Sequence, residues 1–238
     1  LNEPQIVLKL GHCDGIHAPG RRYPLPRLVQ CWKNLILANG LAFRAIRSTA
    51  PDAQIGIAST GKLCYPHAPA DEEAARNETF RLTDTDWMFT HPITLDAVCF
   101  GRVEPEAGAL SSLMRKISPE DWDIMHAIPD FIGVNSYNGS EITADADGWS
   151  VYLPRPRGFP CTALKWPVTP EIMEYGYAFL YERYQLPLYV TECGLSCNDR
   201  IYLDGQVHDA DRIDFLHRYL LALRKGSERA DIRGFFHW

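Results

Sequence analysis

Two glutamates stand in sequence contexts that suit acid-base and nucleophilic chemistry. Glu3 lies between Asn2 and Pro4 at the start of an irregular stretch, and Glu192 ends the apolar stretch Leu188–Glu192. Cleavage of a glycosidic bond needs one carboxylic acid to protonate the departing oxygen and one carboxylate to attack the sugar or activate water. A single glutamate is more often an ordinary surface or capping group. The two residues by themselves therefore leave this chemistry open.

The elements that must position these glutamates are predicted to alternate between strand and helix. Short apolar stretches predict strands, covered on both faces, at residues 54–58, 131–135, 188–192 and 232–236. Helical spacing and start signals predict helices at residues 27–48 and 70–90, after Thr169-Pro170 and after Asp209. This alternation favours a parallel sheet wrapped by helices, either a barrel or a doubly wound sheet. Because no glycine-rich nucleotide-binding motif follows any strand, we favour the barrel.

The remaining segments are predicted to be irregular. Residues 2–26 are expected to form a surface loop, and residues 138–168 form a connection long enough to indicate a functional role. The helix after Asp209 is predicted to bury a stripe made of Ile213, Leu216, Leu220 and Leu223. Four strand and helix units are too few to close an eight-stranded barrel. We therefore expect the chain to be part of a longer structure.

The composition indicates one globular domain whose partner is a small, neutral or weakly charged molecule. The 238 residues are 46% apolar and 23% charged, which is enough to bury a sizeable core. The net charge is −6 and the basic residues are scattered, which argues against nucleic acid and against an anionic membrane surface. No apolar run reaches about 18 residues, the length of a membrane span.

The seven cysteines give little sign of a zinc or redox site. They are odd in number, and no Cys-x-x-Cys pair occurs among them. We expect free thiols, which favour a reducing compartment and hence a cytoplasmic location.

Five segments resemble, in the same order, five motifs of glycoside hydrolase family 1. Residues 1–4 (LNEP) and 15–20 (GIHAPG) resemble the family's NEP segment and HAPG loop. Residues 131–137 (FIGVNSY), 190–194 (VTECG) and 232–238 (IRGFFHW) resemble its sixth-strand G-x-N-x-Y, its nucleophile motif TENG and its eighth-strand RGYFxW. Ordered matches of this number rarely arise by chance. The resemblance covers the whole chain.

The resemblance implies an α/β fold, the (β/α)8 TIM barrel, of which this chain supplies about strands 5–8 and the end of strand 4. Residues 1–238 would then be one partial catalytic domain, the C-terminal half of the barrel. The family's residues that hold the glycone hydroxyls come before Glu3 and after Trp238. A complete sugar pocket is therefore expected to need the missing N-terminal half of the barrel as a partner.

The resemblance also implies roles for individual residues. Glu3 matches the catalytic acid/base, Glu192 matches the nucleophile, and Asn2 matches an asparagine that hydrogen-bonds the sugar 2-hydroxyl. Asn135 and Tyr137 match residues close to the nucleophile, where a tyrosine hydroxyl can stabilise the charged carboxylate.

Two tryptophans match sugar-binding positions in the family. Trp238 matches the platform under the glycone sugar, and Trp166 resembles the tryptophan that lines the aglycone side, since aromatic faces suit the C–H faces of pyranose rings. Core packing is the alternative for both, and it is the favoured interpretation for Trp32, Trp87, Trp122 and Trp149.

Two residues depart from the family's motifs. Cys193 stands where the nucleophile motif normally has asparagine, and Ser136 stands where the sixth-strand motif has an aromatic residue or histidine. Cys193 puts the local hydrogen bonding in doubt but removes no catalytic group.

The expected function is that of a retaining β-glycosidase, a β-glucosidase in the first instance, that acts on a small-molecule β-glycoside or oligosaccharide. Two carboxylates suffice for this reaction, so no metal or organic cofactor is implied. Related activities stay open: 6-phospho-β-glycosidase, β-galactosidase, β-fucosidase and transglycosylation. A different class also stays open, a catalytically silent half-barrel or one piece of a split enzyme.

Overall fold

The structure, a computed structural model, describes residues 1–238 and divides into two compact units. The first unit comprises Leu1–Lys62 and Thr79–Val134, and the second comprises Leu63–Glu78 and Asn135–Trp238. Each unit combines helices with parallel strands, so the fold is of the predicted α/β class. None of the helices is both long enough and apolar enough to cross a membrane.

Seven strands and eight α-helices make up the regular structure. The strands are β1 (Gly56–Ser59), β2 (Cys64–Pro66), β3 (Phe131–Asn135), β4 (Ser140–Ala144), β5 (Ser150–Tyr152), β6 (Leu188–Cys193) and β7 (Ile232–His237). The α-helices are α1 (Pro4–Ile6), α2 (Leu25–Thr49), α3 (Glu72–Phe80), α4 (Pro92–Phe100), α5 (Ala109–Met114), α6 (Pro119–Met125), α7 (Ile172–Tyr184) and α8 (Ala210–Gly226). A π-helical segment, Val7–Cys13, follows α1, and a 3-10 turn, Pro69–Asp71, precedes α3.

Parallel pairing organises the first unit. β1 and β3 pair in parallel with Gly56 opposite Phe131, and Asn2 forms an isolated parallel bridge with Ala58. The largest buried side chains of this unit include Trp32 of α2 and Leu95 of α4. The chain around Glu3 is therefore fastened to the end of β1.

The second unit contains two sets of strands. β6 pairs in parallel with β7, while β4 pairs in parallel with β2 and in antiparallel fashion with β5. Helices α7 and α8 pack against each other, and their buried faces include Tyr177, Phe179, Phe215 and Tyr219. The strand that ends at Glu192 thus lies in a unit with a large aromatic core.

The four predicted strands and the long helix at residues 27–48 are confirmed, as β1, β3, β6, β7 and α2. Three other predictions were wrong. The predicted surface loop at 2–26 contains α1 and the π-helical segment, the helix predicted for 70–90 ends at Phe80, and the connection at 138–168 contains β4 and β5. Helix α4 lies in the stretch up to about residue 128, where short helices mixed with loops are predicted. Its bounds are not predicted because eight of its nine residues are buried, which leaves no polar face to reveal its period.

The predicted apolar stripe of α8 was right in part. Leu223 is buried and Leu216 is half-buried, but Ile213 is 66% exposed and Leu220 is 44% exposed. Phe215 and Tyr219 fill the core in place of these two residues.

Gly40, inside α2, provides a first prediction. A Cβ atom at this position would overlap the main-chain carbonyl oxygen of Ile124. Although alanine favours helices by about 1 kcal/mol over glycine, we expect Gly40→Ala to lower the free energy of unfolding by about 1–3 kcal/mol, the usual cost of overpacking. Urea unfolding measures the change, with the exposed Ser48→Ala in the same helix as control. A variant Gly40→Ala as stable as the parent would contradict the close approach.

Asp130 provides a second prediction, on the pH dependence of stability. Its Oδ2 accepts the Ile55 main-chain N–H at 2.7 Å and the Arg47 guanidinium at 2.6 Å. These bonds, the main-chain one first, hold the pKa of Asp130 below its ordinary value. A carboxylate whose pKa is depressed by folding stabilises the protein above its unfolded pKa, and this contribution is lost as the pH falls through the folded pKa.

We therefore expect Asp130→Asn to lower the free energy of unfolding at neutral pH by about 1–2 kcal/mol. The difference from the parent should shrink below about pH 4 as the parent's carboxylate becomes protonated. Urea unfolding across this pH range measures both effects, and a difference that stays constant down to the acid limit would refute the assignment.

Candidate functional site

Glu192 lies at the carboxyl end of β6, where the strand loses its regular pattern. The pairing of β6 with β7 shifts register between Val190 and Cys193. The consecutive residues Thr191 and Glu192 are both partly exposed, whereas the regular alternation of a strand would bury one of them. Such irregularities often re-aim a side chain at a functional site. The carboxylate is therefore accessible while the strand below it stays buried.

Tyr137 bonds this carboxylate directly. Its hydroxyl donates a hydrogen bond to Glu192 Oε2, and the main-chain N–H of the adjacent Ser136 donates to the Glu192 carbonyl oxygen at 2.8 Å. The Thr191 hydroxyl donates to Asn135 Oδ1 at 2.6 Å. The end of β3 and the end of β6 are thus joined side by side by three hydrogen bonds.

A second layer of hydroxyl groups holds Tyr137 in place. Tyr219 of α8 donates to the Tyr137 carbonyl oxygen at 2.8 Å and accepts the Thr169 main-chain N–H at 3.0 Å. The Ser136 and Tyr177 hydroxyls share a hydrogen bond of 2.7 Å, and burial raises the pKa of Tyr177 well above its ordinary value. The hydroxyls of this layer stay neutral, so Glu192 is not faced by a second negative charge from them.

The two tryptophans singled out in the sequence flank Tyr137. Its ring centroid lies 5.2 Å from that of Trp166 and 5.6 Å from that of Trp238, in tilted and edge-on arrangements. Trp166 is 38% exposed and Trp238 is 67% exposed. Two partly exposed indole rings thus flank the tyrosine that bonds Glu192.

The other tryptophans divide between core and surface. Trp32 and Trp87 are buried as predicted, whereas Trp149 is 69% exposed, so its predicted core position was wrong. It follows the turn between β4 and β5, where the Asp145 carboxylate accepts the main-chain N–H groups of Asp147 and Trp149.

Gly194 and Cys193 explain how the end of β6 accommodates Trp238. A Cβ atom at Gly194 would overlap the Trp238 carbonyl oxygen, and the Trp238 main-chain N–H donates to the Cys193 carbonyl oxygen at 2.9 Å. The Cys193 side chain points into the core, where burial raises the pKa of the thiol to about 12. The thiol is therefore protonated and turned away from Glu192, so the departure from the family's asparagine leaves the carboxylate unobstructed.

Asn2 and Glu3 belong to the first unit. The Glu3 main-chain N–H donates to the Ala58 carbonyl oxygen at 2.9 Å, and Ala58 N–H donates to the Leu1 carbonyl oxygen at 3.0 Å. Glu3 has φ 44° and ψ 55°, in the left-handed region, and α1 begins at the next residue. The predicted acid/base thus sits on a tight turn at the carboxyl end of β1.

The structure therefore brings five of the predicted residues together in the second unit: Asn135, Tyr137, Trp166, Glu192 and Trp238. Sequence reasoning missed the residues that support them, Thr169, Tyr177, Thr191 and Tyr219. Thr191 lies in the segment that resembles the nucleophile motif, whereas Thr169, Tyr177 and Tyr219 belong to none of the five motifs and come from a loop, α7 and α8. No group of three His, Cys, Asp or Glu side chains is placed to hold a metal ion.

Tyr137 provides a third prediction, on the kinetics of the enzyme that results when this chain is joined to the part of the barrel that it lacks. Tyr137→Phe removes the hydroxyl that bonds Glu192 and keeps the ring between the two tryptophans. A hydrogen bond to a charged group contributes about 1.5–3 kcal/mol, so we expect kcat to fall about 10- to 100-fold with little change in KM. Tyr175→Phe, on the adjacent helix α7, is the matched control. Unchanged kcat in Tyr137→Phe would show that the hydroxyl has no part in the chemistry.

Comparison with known proteins identifies the family to which the sequence is similar. The family model for glycosyl hydrolase family 1 matches residues 1–238. β-Glucosidase A of Thermotoga maritima is 31% identical over 246 residues, an alignment that covers 100% of this chain and 53% of that protein. β-Glucosidase A of Acetivibrio thermocellus is also 31% identical, with 53% of its length covered.

Solved structures give the same result for the fold. The Thermotoga maritima β-glucosidase in complex with a methyl acetic acid-substituted glucoimidazole superposes with a TM-score of 0.80 at 27% identity, over 100% of this chain and 52% of that one. The chain thus spans about half the length of the relatives it matches.

Proposed function

Because the chain belongs to glycosyl hydrolase family 1, we propose that it carries both catalytic carboxylates of a retaining β-glycosidase, with Glu192 as nucleophile and Glu3 as acid/base. The observation that carries the proposal is the cluster around Glu192. An accessible carboxylate at a strand end accepts a tyrosine hydroxyl and lies beside two exposed tryptophan faces. Such a group suits attack on a sugar whose C–H face stacks on an aromatic ring.

In the first step, a Glu192 carboxylate oxygen attacks the anomeric carbon and forms a glycosyl ester, while the Glu3 carboxyl donates its proton to the departing glycosidic oxygen. In the second step, Glu3 takes a proton from water, whose oxygen attacks the anomeric carbon and displaces Glu192. Two inversions give net retention, both carboxyl groups return to their starting states, and the sum of the reaction is hydrolysis.

Tyr137 has a role at the start of this cycle and at its end. Its O–H donates to Glu192 when the carboxylate carries a full negative charge, and the same bond weakens as the charge is consumed in the ester. The bond keeps the nucleophile in one rotamer before attack and helps it to leave afterwards. Trp166 and Trp238 are proposed to hold the aglycone and the glycone sugar.

A β-glucoside is the proposed substrate, and a barrel completed by further chain is the proposed framework. The support for both is the likeness to enzymes called β-glucosidases, over about half their length. We propose that this chain contributes about strands 5–8 of the barrel together with the end of strand 4. The small-molecule pocket would then be closed by the remaining half.

Trapping of the glycosyl ester tests the proposal directly. The chain is incubated with 2-deoxy-2-fluoro-β-glucosyl fluoride, which forms the ester readily and hydrolyses it slowly. Two forms are used: the chain itself, and the completed enzyme. The completed enzyme is this chain joined to all the parts of Thermotoga maritima β-glucosidase A that it does not match, before Leu1 and after Trp238. We expect one fluoroglucosyl group per completed enzyme, attached to the peptide that contains Glu192.

The outcomes separate the proposal from its rival. Label on another residue, or no label and no hydrolysis of an aryl β-glucoside in either form, would overturn the proposed function. Label on the completed enzyme but not on the chain itself would identify the chain as a partner-dependent half. Glu192→Gln in the completed enzyme is the control for non-specific labelling.

A further inference from the structure

The conformation of Glu3 is unusual for a residue that carries a side chain. Its φ of 44° and ψ of 55° lie in the left-handed region, which residues other than glycine seldom adopt without a reason supplied by their surroundings. On the amino-terminal side, main-chain bonds with Ala58 hold the turn at the end of β1. On the carboxyl-terminal side, where α1 begins, the Glu3 carbonyl oxygen accepts the Ile6 main-chain N–H at 3.0 Å, and the start of α1 must itself be held in place.

Gln5, two residues after Glu3, anchors that side in the core. Its side-chain amide donates to Ser59 Oγ at 2.9 Å and to the Thr90 carbonyl oxygen at 3.3 Å. Ser59 Oγ in turn hydrogen-bonds His91 Nδ1 at 3.0 Å. All three side chains are buried, with Gln5 1% exposed and both Ser59 and His91 at 0%.

Ser59 links the other two side chains. Its Oγ accepts from Gln5 and still offers a proton and a second lone pair, so its bond to His91 Nδ1 forms with either neutral tautomer of the imidazole. Burial lowers the pKa of His91 to about 3, so the imidazole is neutral. This series of hydrogen bonds therefore connects the segment after Glu3, through the end of β1, to the start of α4.

This arrangement is poorly suited to stabilising the fold. Gln5 Oε1, His91 Nε2 and Thr94 Oγ1 are buried without a hydrogen-bond partner, and each such atom costs free energy that an apolar side chain of similar shape would not. Local rules of this kind are broken mainly at functional sites. The polar residues are thus better explained by what they position than by the stability they add.

We propose that Gln5, Ser59 and His91 form a positioning network that holds the Glu3 carboxyl where it transfers its proton. The inference rests on the proposed function, in which Glu3 is the acid/base. The three residues touch neither substrate nor reacting atoms; they act through the turn that Glu3 occupies. Loss of the network should let the turn relax toward ordinary backbone angles and move the carboxyl away from the glycosidic oxygen.

Leaving-group dependence tests this in the completed enzyme. A dinitrophenyl leaving group departs without help from an acid, whereas phenol needs protonation. For Gln5→Met and for His91→Leu we expect kcat/KM on phenyl β-glucoside to fall about 10- to 100-fold, as misplacement of a catalytic group by about an ångström would cause. On dinitrophenyl β-glucoside we expect a change below about threefold.

Rescue and control variants complete the design. His91→Asn keeps a polar atom near the position of Nδ1 and should recover most of the activity on phenyl β-glucoside. Trp32→Phe removes another buried bond to the same region, from Trp32 Nε1 to the Ile93 carbonyl oxygen at 2.9 Å. It should lower the melting temperature and leave the ratio of the two substrates unchanged.

Glu3→Ala separates failure of this inference from failure of the proposed function. If Glu3→Ala discriminates between the leaving groups but Gln5→Met and His91→Leu do not, the network has no positioning role. If Glu3→Ala itself does not discriminate, the role proposed for Glu3 is wrong. Hydrogen exchange on the chain itself adds a test independent of turnover: Gln5→Met should speed exchange in the peptide around Glu3, and unchanged exchange there would refute the network.

Discussion

Glu192→Gly in the completed enzyme is expected to lower kcat on aryl β-glucosides by about four orders of magnitude or more, the scale on which removal of an attacking group acts. The protein should keep its fold, since Glu192 is partly exposed and accepts its hydrogen bond from the Tyr137 hydroxyl. The space left by the side chain is the size of a small anion. Azide should therefore attack dinitrophenyl β-glucoside from the face that Glu192 occupied.

The product of that rescue reports the role of the residue. One inversion, with azide in place of the carboxylate, gives α-glucosyl azide, which proton NMR distinguishes from the β-anomer. Glu228→Gln, an exposed glutamate of the same unit, is the matched control and should retain parent activity. A Glu192→Gly variant that keeps more than about a hundredth of the parent kcat would show that the nucleophile lies elsewhere.

Glu3→Ala in the completed enzyme is expected to lower kcat/KM on phenyl β-glucoside by about 10²- to 10⁴-fold, the range contributed by general acid-base catalysis. Dinitrophenyl β-glucoside should still form the glycosyl ester with Glu192, which then accumulates because no base activates water. Alanine carries a Cβ as glutamate does, so the left-handed turn is no more strained than before.

Azide also reports the role of Glu3, because the glucosyl azide formed by the Glu3→Ala variant should have the opposite anomeric configuration to that formed by Glu192→Gly. It attacks the accumulated ester of the Glu3→Ala variant, and two inversions give β-glucosyl azide. Glu104→Gln, an exposed glutamate of the first unit, is the control and should show no azide product. Formation of the α-anomer by Glu3→Ala, or an unchanged ratio of phenyl to dinitrophenyl activity, would contradict the assignment of acid/base to this residue.

The two variants together are more informative than either alone. Loss of activity on replacing a glutamate is compatible with many roles, whereas azide products of opposite configuration are required only when one carboxyl group attacks and the other transfers a proton. The two variants also test whether this chain supplies both catalytic carboxylates, since Glu3 and Glu192 both lie within its 238 residues.

The sequence by itself determined the class of the fold and predicted which residues have chemical roles. Strands such as those at Leu188–Glu192 and Phe131–Asn135 can be recognised from the sequence alone, because a strand covered on both faces is a continuous run of apolar residues. The five ordered motifs placed Glu3 and Glu192 in their contexts, and Tyr137 and both tryptophans then appeared beside Glu192 in the structure. Strands and motifs can be predicted in this way because each depends on residues that are close together in the sequence.

Local patterns failed where burial is uniform or where the side chains compete. Helix α4 hides its period because nearly all of it is buried. The helix α8 carries both Ile213 and Phe215 at plausible positions, and only the packing of α7 against it decided that Phe215 is buried and Ile213 exposed. In the connection before Trp166, the turn at Asp145 depends on neighbouring residues. The strands on either side of it also depend on β2, which is distant in sequence and pairs with β4, while β4 pairs with β5.

Tertiary structure alone decided how the two glutamates are held. The left-handed turn of Glu3 depends on a glutamine, a serine and a histidine that are up to 86 positions apart, from Gln5 to His91. The support of Tyr137 depends on Tyr219 and Thr169, which share no motif with it. Residue types with chemical potential can be recognised one at a time, but their orientation is set by hydrogen bonds between segments that meet only when the chain has folded.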